Sequence, residues 1–243
     1  LSIRRQRQMC IRDRYIPLYK EHKRGNEMAK YAKIQKNIDG KERYSITPQI
    51  PGGYITPENL IKIGEVAKKY NASLKVTSAQ KICIGNLKEE DIDTIWEELN
   101  MEPAIKNICS VINVEVCSAN FCKRSKYPII GIGMKLTRKF HGIELPGKVK
   151  IAVAGCKNAC INAYTKDIGV LSSLDGKLFI VVGGKGGLNP RKYDLLAEGL
   201  CEVEVIKIID NLLSYYKENG LEKERLSSFI DRVGIQEIKQ SVI

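Results

Sequence analysis

No stretch of this sequence approaches the roughly 20 consecutive apolar residues that a membrane-spanning helix requires, so no membrane partner is expected. Nor does the chain open with a basic segment, an apolar core and a small-residue cleavage site. Secretion therefore has no support, and a cytoplasmic location is the expectation. No G-x-G-x-x-G carries a strand into a helix, which removes the usual signature of a bound flavin or nicotinamide nucleotide. No aromatic-interleaved basic stripe or reading helix points to nucleic acid. There is no internal repeat and no low-complexity tract.

Lysine and cysteine are what the chain does have. Its 243 residues carry 40 Lys/Arg against 28 Asp/Glu, a formal charge of +12. That excess suits an anionic ligand or an acidic partner, although a solvated basic surface gives the same count. Residues 1–27 supply +5 of it. Their first fourteen, "LSIRRQRQMCIRDR", have no helical or strand period and resemble a translated sequencing adapter. Residues 1–27 are therefore set aside as a non-native basic segment, with Met28 as the expected start and a genuine basic arm as the alternative. The length allows one large domain or two modest ones.

From Arg43 the pattern becomes regular. "RYSITPQI" (43–50) reads as a strand and "PGG" as a turn. Thr56 before Pro57 is an N-cap followed by proline at the first helical position. Leu60, Ile61, Ile63, Val66 and Ala67 give that helix an apolar face, and Asn71 ends it. Strands follow at 73–78 and 81–86, then a helix at 88–100 with Ile92, Ile95, Trp96 and Leu99 on one side. Further on, strands are expected at 109–116, 148–155, 168–173 and 177–184, with helices at 129–142, 202–218 and 222–233 and a flexible loop at "GGKGG" (183–187).

Eight cysteines are present: Cys10, Cys83, Cys109, Cys117, Cys122, Cys156, Cys160 and Cys201. A secreted disulfide scaffold is usually shorter and denser in cysteine. Close pairs in a long, Lys-rich chain favour a metal or cluster site instead. Cys117/Cys122 and Cys156/Cys160 each follow an expected strand, so four thiolates on two loops can hold a 4Fe–4S cluster. Soft thiolates also suit zinc, and unrelated buried cysteines are the third possibility. Cys83, Cys109 and Cys201 sit in apolar runs and read as core.

Several separated motifs, in order, resemble the nitrite and sulfite reductase family. They are "TPENLIKIGEVAKKYNASLKVTSAQKICIGN", "LPGKVKIAVAGCKNAC", "KDIGV", "VVGGKGGLNPR" and "DRVG", and the likeness covers roughly residues 43–238. It is nearest to the corresponding part of NADH-dependent nitrite reductase large subunits. The resemblance implies an α+β chain, with a ferredoxin-like half-domain at 28–104 and a mixed α/β sirohaem and iron–sulfur domain at 105–243. It implies six-electron reduction of sulfite or nitrite, with Cys117, Cys122, Cys156 and Cys160 on the cluster and Cys160 bridging to the sirohaem. Lys148 and Lys150 match the family's anion-site lysines, and strand alternation puts both on one face. Lysines turned to solvent on a half-exposed strand would leave the same pattern.

Thr77, Gln80 and Lys81 match the sirohaem-contacting strand. Gly183, Gly184, Gly186 and Gly187 match a loop that brings backbone donors to an anionic edge, and Arg191 would pair a carboxylate. Asn158 would donate to a cluster sulfur. The chain departs from the family in the Cys117–Cys122 gap, four residues rather than five, and in Ala79 and Lys81, where arginines are common. It carries one copy of a unit that the larger enzymes carry twice, so a homodimer or a paralogous heterodimer is expected. Electrons would come from an external ferredoxin or reductase subunit. The alternatives are an iron–sulfur electron carrier without sirohaem chemistry and a zinc-stabilised basic binding module.

Overall fold

Two sheets, each backed by its own apolar cluster, organise the chain. The structure is a computed structural model that describes residues 31–35 and 42–243. The basic segment 1–27, Met28 and Cys10 lie outside the described residues. The first sheet is antiparallel, in the order β1 (Lys33–Ile34), β2 (Tyr44–Ile46), β4 (Ile82–Leu87), β3 (Ser73–Val76). Helices α1 (Pro57–Lys69) and α2 (Ile92–Leu99) complete it. Thr56 caps α1 by accepting from the Asn59 N–H at 3.2 Å, and Pro57 occupies a position whose N–H would lack a partner. Asn71 ends the helix in the left-handed conformation, φ +50°. Ile63 and Val66 of α1 join Ile92, Ile95, Trp96 and Leu99 of α2 in one core and Ala67 is buried too, whereas Leu60 and Ile61 face outward.

The expected strand at 43–50 contracts to three residues. A register shift falls between Tyr44 and Ile46, and Pro48, which cannot donate to a ladder, pairs only by an isolated bridge to Pro103. The expected helix at 88–100 begins with a 3-10 turn, Glu89–Asp91, and turns α-helical at Ile92.

The second sheet runs in sequential order: β5 (Val111–Val116), β6 (Val149–Ala154), β7 (Ile168–Ser172), β8 (Leu178–Val182) and β9 (Asp194–Leu200). β5, β6 and β7 are parallel and the rest antiparallel. Helix α3 (Ile129–Phe140) links β5 to β6, and α4 (Glu202–Asn219), α5 (Leu226–Val233) and α6 (Ile235–Val242) follow β9. Strand alternation divides the sheet into two faces. Val149, Ile151, Val153, Ile180 and Val182 join the helices in the larger core, and Ala152, Ala154, Phe179 and Val181 face a smaller cluster with Ala159 and Ala163 of the β6–β7 loop.

β9 and α6 are elements the sequence patterns do not announce. Cys201 is a correction of another kind: it is exposed at the N-terminal cap of α4 rather than in the core, and Cys83 and Cys109 are half-buried. Among the described residues no helix is long and apolar enough to cross a membrane.

Candidate cluster and anion-binding site

Parallel pairing of β5 and β6 fixes where the cysteines go. Val116 lies beside Val153, so both strands end on the same side of the sheet, one in Cys117 and the other in Gly155 and Cys156. The two loops then bind each other. The Gly155 N–H donates to Cys117 Sγ at 3.3 Å, and the Lys126 N–H donates to the Gly155 carbonyl at 2.8 Å. A Cβ on Gly155 would collide with Ser125 Oγ, so glycine is needed for the loops to approach this closely. Cys117 and Cys156 are half-buried, Cys122 and Cys160 exposed. The Cys117 thiol is pushed up chiefly by burial, with smaller contributions from Cys156 and Cys122, whose charges reach it. Asn158 Nδ2 donates to Cys160 Sγ at 3.0 Å.

Among the described residues no three His, Cys, Asp or Glu side chains are gathered to hold a single metal ion. A cluster is larger than an ion, and its four thiolates sit at its corners, farther apart than the ligands of one ion. Two features fit such a group. The donors are four free thiols on two mutually braced loops. Beside Cys117 the Tyr54 hydroxyl is buried with no hydrogen-bond partner among the described residues, a donor that an anionic acceptor would satisfy.

A chain of charged groups runs from these loops along the sheet. Glu115, two residues before Cys117, is buried and accepts from Lys166 Nζ at 2.6 Å and from Asn113 Nδ2 at 3.1 Å. Asn113 Nδ2 also donates to the Ala79 carbonyl at 3.0 Å. Lys150 stands beside Asn113 in register, and its backbone N–H donates to Asp167 Oδ2 at 2.9 Å. Asp167 Oδ1 accepts from Arg225 Nη2 at 2.7 Å. The Lys150 ammonium is held below its ordinary range, first by burial and then by the charges of Lys166 and Lys148. Lys148 and Lys150 are thus close enough to influence each other, as alternation along a strand requires.

The loop from Thr77 to Lys81 docks the first sheet onto the second. Gln80, in the left-handed region at φ +59°, donates to the Val116 carbonyl at 2.8 Å and accepts from the Val116 N–H at 2.9 Å. Its amide grips the residue that delivers Cys117. Thr77 Oγ1 donates to the Lys81 carbonyl at 3.0 Å, closing the turn. Lys81 is buried, donates from Nζ to Gln49 Oε1 at 2.6 Å, and is brought down by burial to about 8.

Arg191 is committed within the chain. It pairs Asp194 at 2.7 Å and Asp231 at 2.8 Å and also donates to the Gly183 carbonyl. Gly183 and Gly184 are buried, and a Cβ on Gly184 would strike the Tyr164 carbonyl, so their close approach is to this chain's own backbone. Gly186 and Gly187 are exposed. The structure therefore brings Cys117, Cys122 and Cys156 together with the Gln80 dock at one end of β5, and Lys148 and Lys150 with Lys166 farther along it. The sequence reading passed over Glu115, Tyr54, Asp167 and Arg225. Glu115 carries the one signal that could have been used, an acid among the apolar residues of "VINVEV".

The comparisons agree on family. The model for the nitrite and sulphite reductase 4Fe-4S domain matches residues 115–243, and that for the nitrite/sulfite reductase ferredoxin-like half domain matches 35–102. An assimilatory-type sulfite reductase of Nitratidesulfovibrio vulgaris is 32% identical over 205 residues, which cover 84% of this chain and 94% of that one. The NAD(P)H nitrite reductase of Bacillus subtilis is 34% identical over 213 residues, 87% of this chain but 26% of that protein. The chain thus spans nearly all of one relative and about a quarter of the other. In fold, the structure of the NirA protein of Mycobacterium tuberculosis superposes with a TM-score of 0.71 at 18% identity, over 88% of this chain and 42% of that one. A dissimilatory sulfite reductase gives 0.70 at 17% identity. With two braced cysteine loops, a ferredoxin-like half-domain and these matches, the chain belongs to the nitrite and sulfite reductase 4Fe–4S family of oxidoreductases, as an α+β protein.

Proposed function

We propose that this chain reduces sulfite or nitrite by six electrons, with a 4Fe–4S cluster on Cys117, Cys122, Cys156 and Cys160 and a sirohaem beside it. The supporting observation is the pair of interlocked cysteine loops at the ends of β5 and β6, on the same sheet as the Lys148, Lys150 and Lys166 cluster. Sirohaem coupled to a cluster supplies the redox chemistry; the protein binds, orients and tunes. Gln80 and the Gly155 N–H hold the first cysteine loop in place. Lys148 and Lys150 offer ammonium groups to an oxyanion and hold protons for oxygen that leaves as water, with Lys166 held beside them by Glu115. Partial burial of Lys150 lowers its hold on its proton, which favours transfer. Asp167 fixes the Lys150 backbone, and Glu115 fixes Lys166.

The domains run 28–104 and 105–243, the protein works in the cytoplasm, and its electrons come from an external ferredoxin or reductase subunit. It assembles as a homodimer or with a paralogue. One observation favours a second reading, an electron carrier without sirohaem. Arg191 and Lys81, two cations expected at the sirohaem carboxylates, already have partners within the chain. Anaerobic expression in a host that supplies sirohaem separates the two readings. The reductase reading expects a sirohaem spectrum, acid-labile sulfide and about five irons per chain, four of them in the cluster, with dye-driven turnover of sulfite or nitrite. Iron and sulfide without tetrapyrrole would support the carrier. Zinc without iron would overturn both and leave the basic binding module.

A further inference from the structure

Three phenols around the second sheet have partners. Tyr127 donates to Glu202 Oε2 at 3.4 Å, Tyr164 to the Lys157 carbonyl at 3.0 Å, and Tyr216 to the Glu224 carbonyl. The Tyr54 hydroxyl is buried and has none among the described residues. A buried donor left unmet costs free energy until an acceptor reaches it. Tyr54 belongs to the half-domain, yet its ring packs against the core of the second sheet, as Cys117 does. The 3-10 turn Pro51–Gly53 delivers it, closed by the Tyr54 N–H on the Pro51 carbonyl at 3.0 Å. Gly52, at φ +56°, lies so near Val116 that a Cβ would stand 2.7 Å from Val116 Cγ2, and one on Gly53 would stand 3.0 Å from Gln80 Cβ. Gln80 in turn holds both the N–H and the carbonyl of Val116. The turn, Gln80 and Val116 thus form one braced junction, which Tyr54 follows on one segment and Cys117 on the other. Burial, and after it the charge of Cys117, hold the Tyr54 phenol above its ordinary range, so it keeps the proton a donor needs.

We propose that the Tyr54 hydroxyl donates a hydrogen bond to the Cys117 thiolate when that thiolate carries the cluster, and that this bond raises the cluster's reduction potential. This rests on the cluster reading above. Reduction adds one electron to the cluster, supplied by the external donor; no covalent bond forms or breaks, and the phenol keeps its proton. The added negative charge spreads over iron and sulfur, so a donor aimed at a ligand sulfur stabilises the reduced form more than the oxidised one. The Gly155 N–H already donates to Cys117 Sγ at 3.3 Å. A backbone donor from the second cysteine loop and a phenol from the half-domain then converge on one sulfur. The half-domain thereby contributes to the redox centre itself, through a side chain that its own core does not use. A phenylalanine would fill the same apolar place with no unmet donor, and no group among the described residues uses the hydroxyl otherwise.

The test is a redox titration of the anaerobically isolated protein, with dithionite as reductant and the spin signal of the reduced cluster as readout, and with iron and sulfide assayed on the same preparation. Tyr54→Phe keeps the ring and removes the hydroxyl. It should retain iron and sulfide and favour the oxidised cluster about tenfold, a fall of ~59 mV for a one-electron couple. Tyr127→Phe, which removes a hydroxyl already engaged with Glu202, should titrate as the wild type does. Growth on 3-fluorotyrosine is the opposite perturbation, since a more acidic phenol is a stronger donor. It should raise the potential of the wild type and leave that of Tyr54→Phe where it was. A Tyr54→Phe protein with a full cluster and the wild-type potential would remove Tyr54 from this role, and so would an equal fall in Tyr127→Phe. Where Tyr54→Phe loses its cluster, the fluorinated wild type decides: a raised potential upholds the bond and an unchanged one overturns it. Wild-type protein without iron and sulfide would defeat the cluster reading instead.

Discussion

Two ion pairs in this protein share one geometry and differ in burial, which makes a sharp prediction possible. Lys166–Glu115 and Lys69–Glu98 both close to 2.6 Å. The side chains of the first are 15% and 4% exposed, those of the second 61% and 30%. Water and salt screen the outer pair, so removing it should change stability little. Glu115→Gln keeps the shape of the side chain but leaves the Lys166 ammonium without a counter-charge in a site that excludes most water. Breaking a buried pair from one side costs about 3–5 kcal/mol. For a chain of this size 1 kcal/mol moves Tm by about 2–4 °C, so Glu115→Gln should melt roughly 6–20 °C below the wild type. Glu98→Gln should stay within about 4 °C. Because the cost belongs to the stranded charge, Glu115→Leu/Lys166→Met should recover most of the loss. Thermal melts of the three variants in one buffer decide the matter. If Glu115→Gln and Glu98→Gln melt together, the buried polar network is not closed as described.

Other expectations follow from single features. Because Lys81 is brought from 10.5 to about 8, the unfolded chain binds more protons than the folded one between those pH values, so stability should rise with pH across that window. The full shift corresponds to roughly 3 kcal/mol, and melts compared at about pH 7.5 and 9.5 should show a rise that Lys81→Met abolishes. Gly155→Ala should disrupt the approach of the two cysteine loops, seen as loss of bound iron and sulfide with far-ultraviolet dichroism retained. Cys122→Ser should lower iron content while leaving the melting of the first sheet unchanged, and a Cys122→Ser protein with full iron would remove Cys122 from the ligand set. Thr56→Ala should cost about 1 kcal/mol through loss of the α1 cap, measurable by urea unfolding.

How far the fold could be read in advance varies from element to element, and the variation has causes. Helix α2 was legible because Ile92, Ile95, Trp96 and Leu99 obey one period and all are buried. In α1 the apolar stripe was broader than the face the core uses, so Leu60 and Ile61 were misassigned. Strand β9 has the sequence "DLLAEGL", rich in helix formers; its pairing with β8 overrides that preference. Helix α6 follows Gly234 at once, and a glycine read as a helix end concealed a second helix beginning there.

The candidate site was legible in its residue types but not in its commitments. Cysteine spacing and the lysine pair survive on one sheet because a strand transmits them faithfully: period two sets the face, and parallel pairing sets the end. What no pattern discloses is which cation is already satisfied. Arg191 and Lys81 have the chemistry a carboxylate-rich ligand needs, yet each is held by partners from another part of the chain, Asp231 forty positions on and Gln49 thirty-two back. Glu115 shows the converse. As a letter it interrupts an apolar strand; in the fold it neutralises Lys166, and its charge also reaches Lys150 and Lys81. The availability of a charge depends on long-range packing, so a motif can nominate a residue for a site but cannot say whether that residue is free to serve. Here Lys148 and Lys150 remain free of carboxylate partners among the described residues, and the oxyanion site proposed for the chain rests on those.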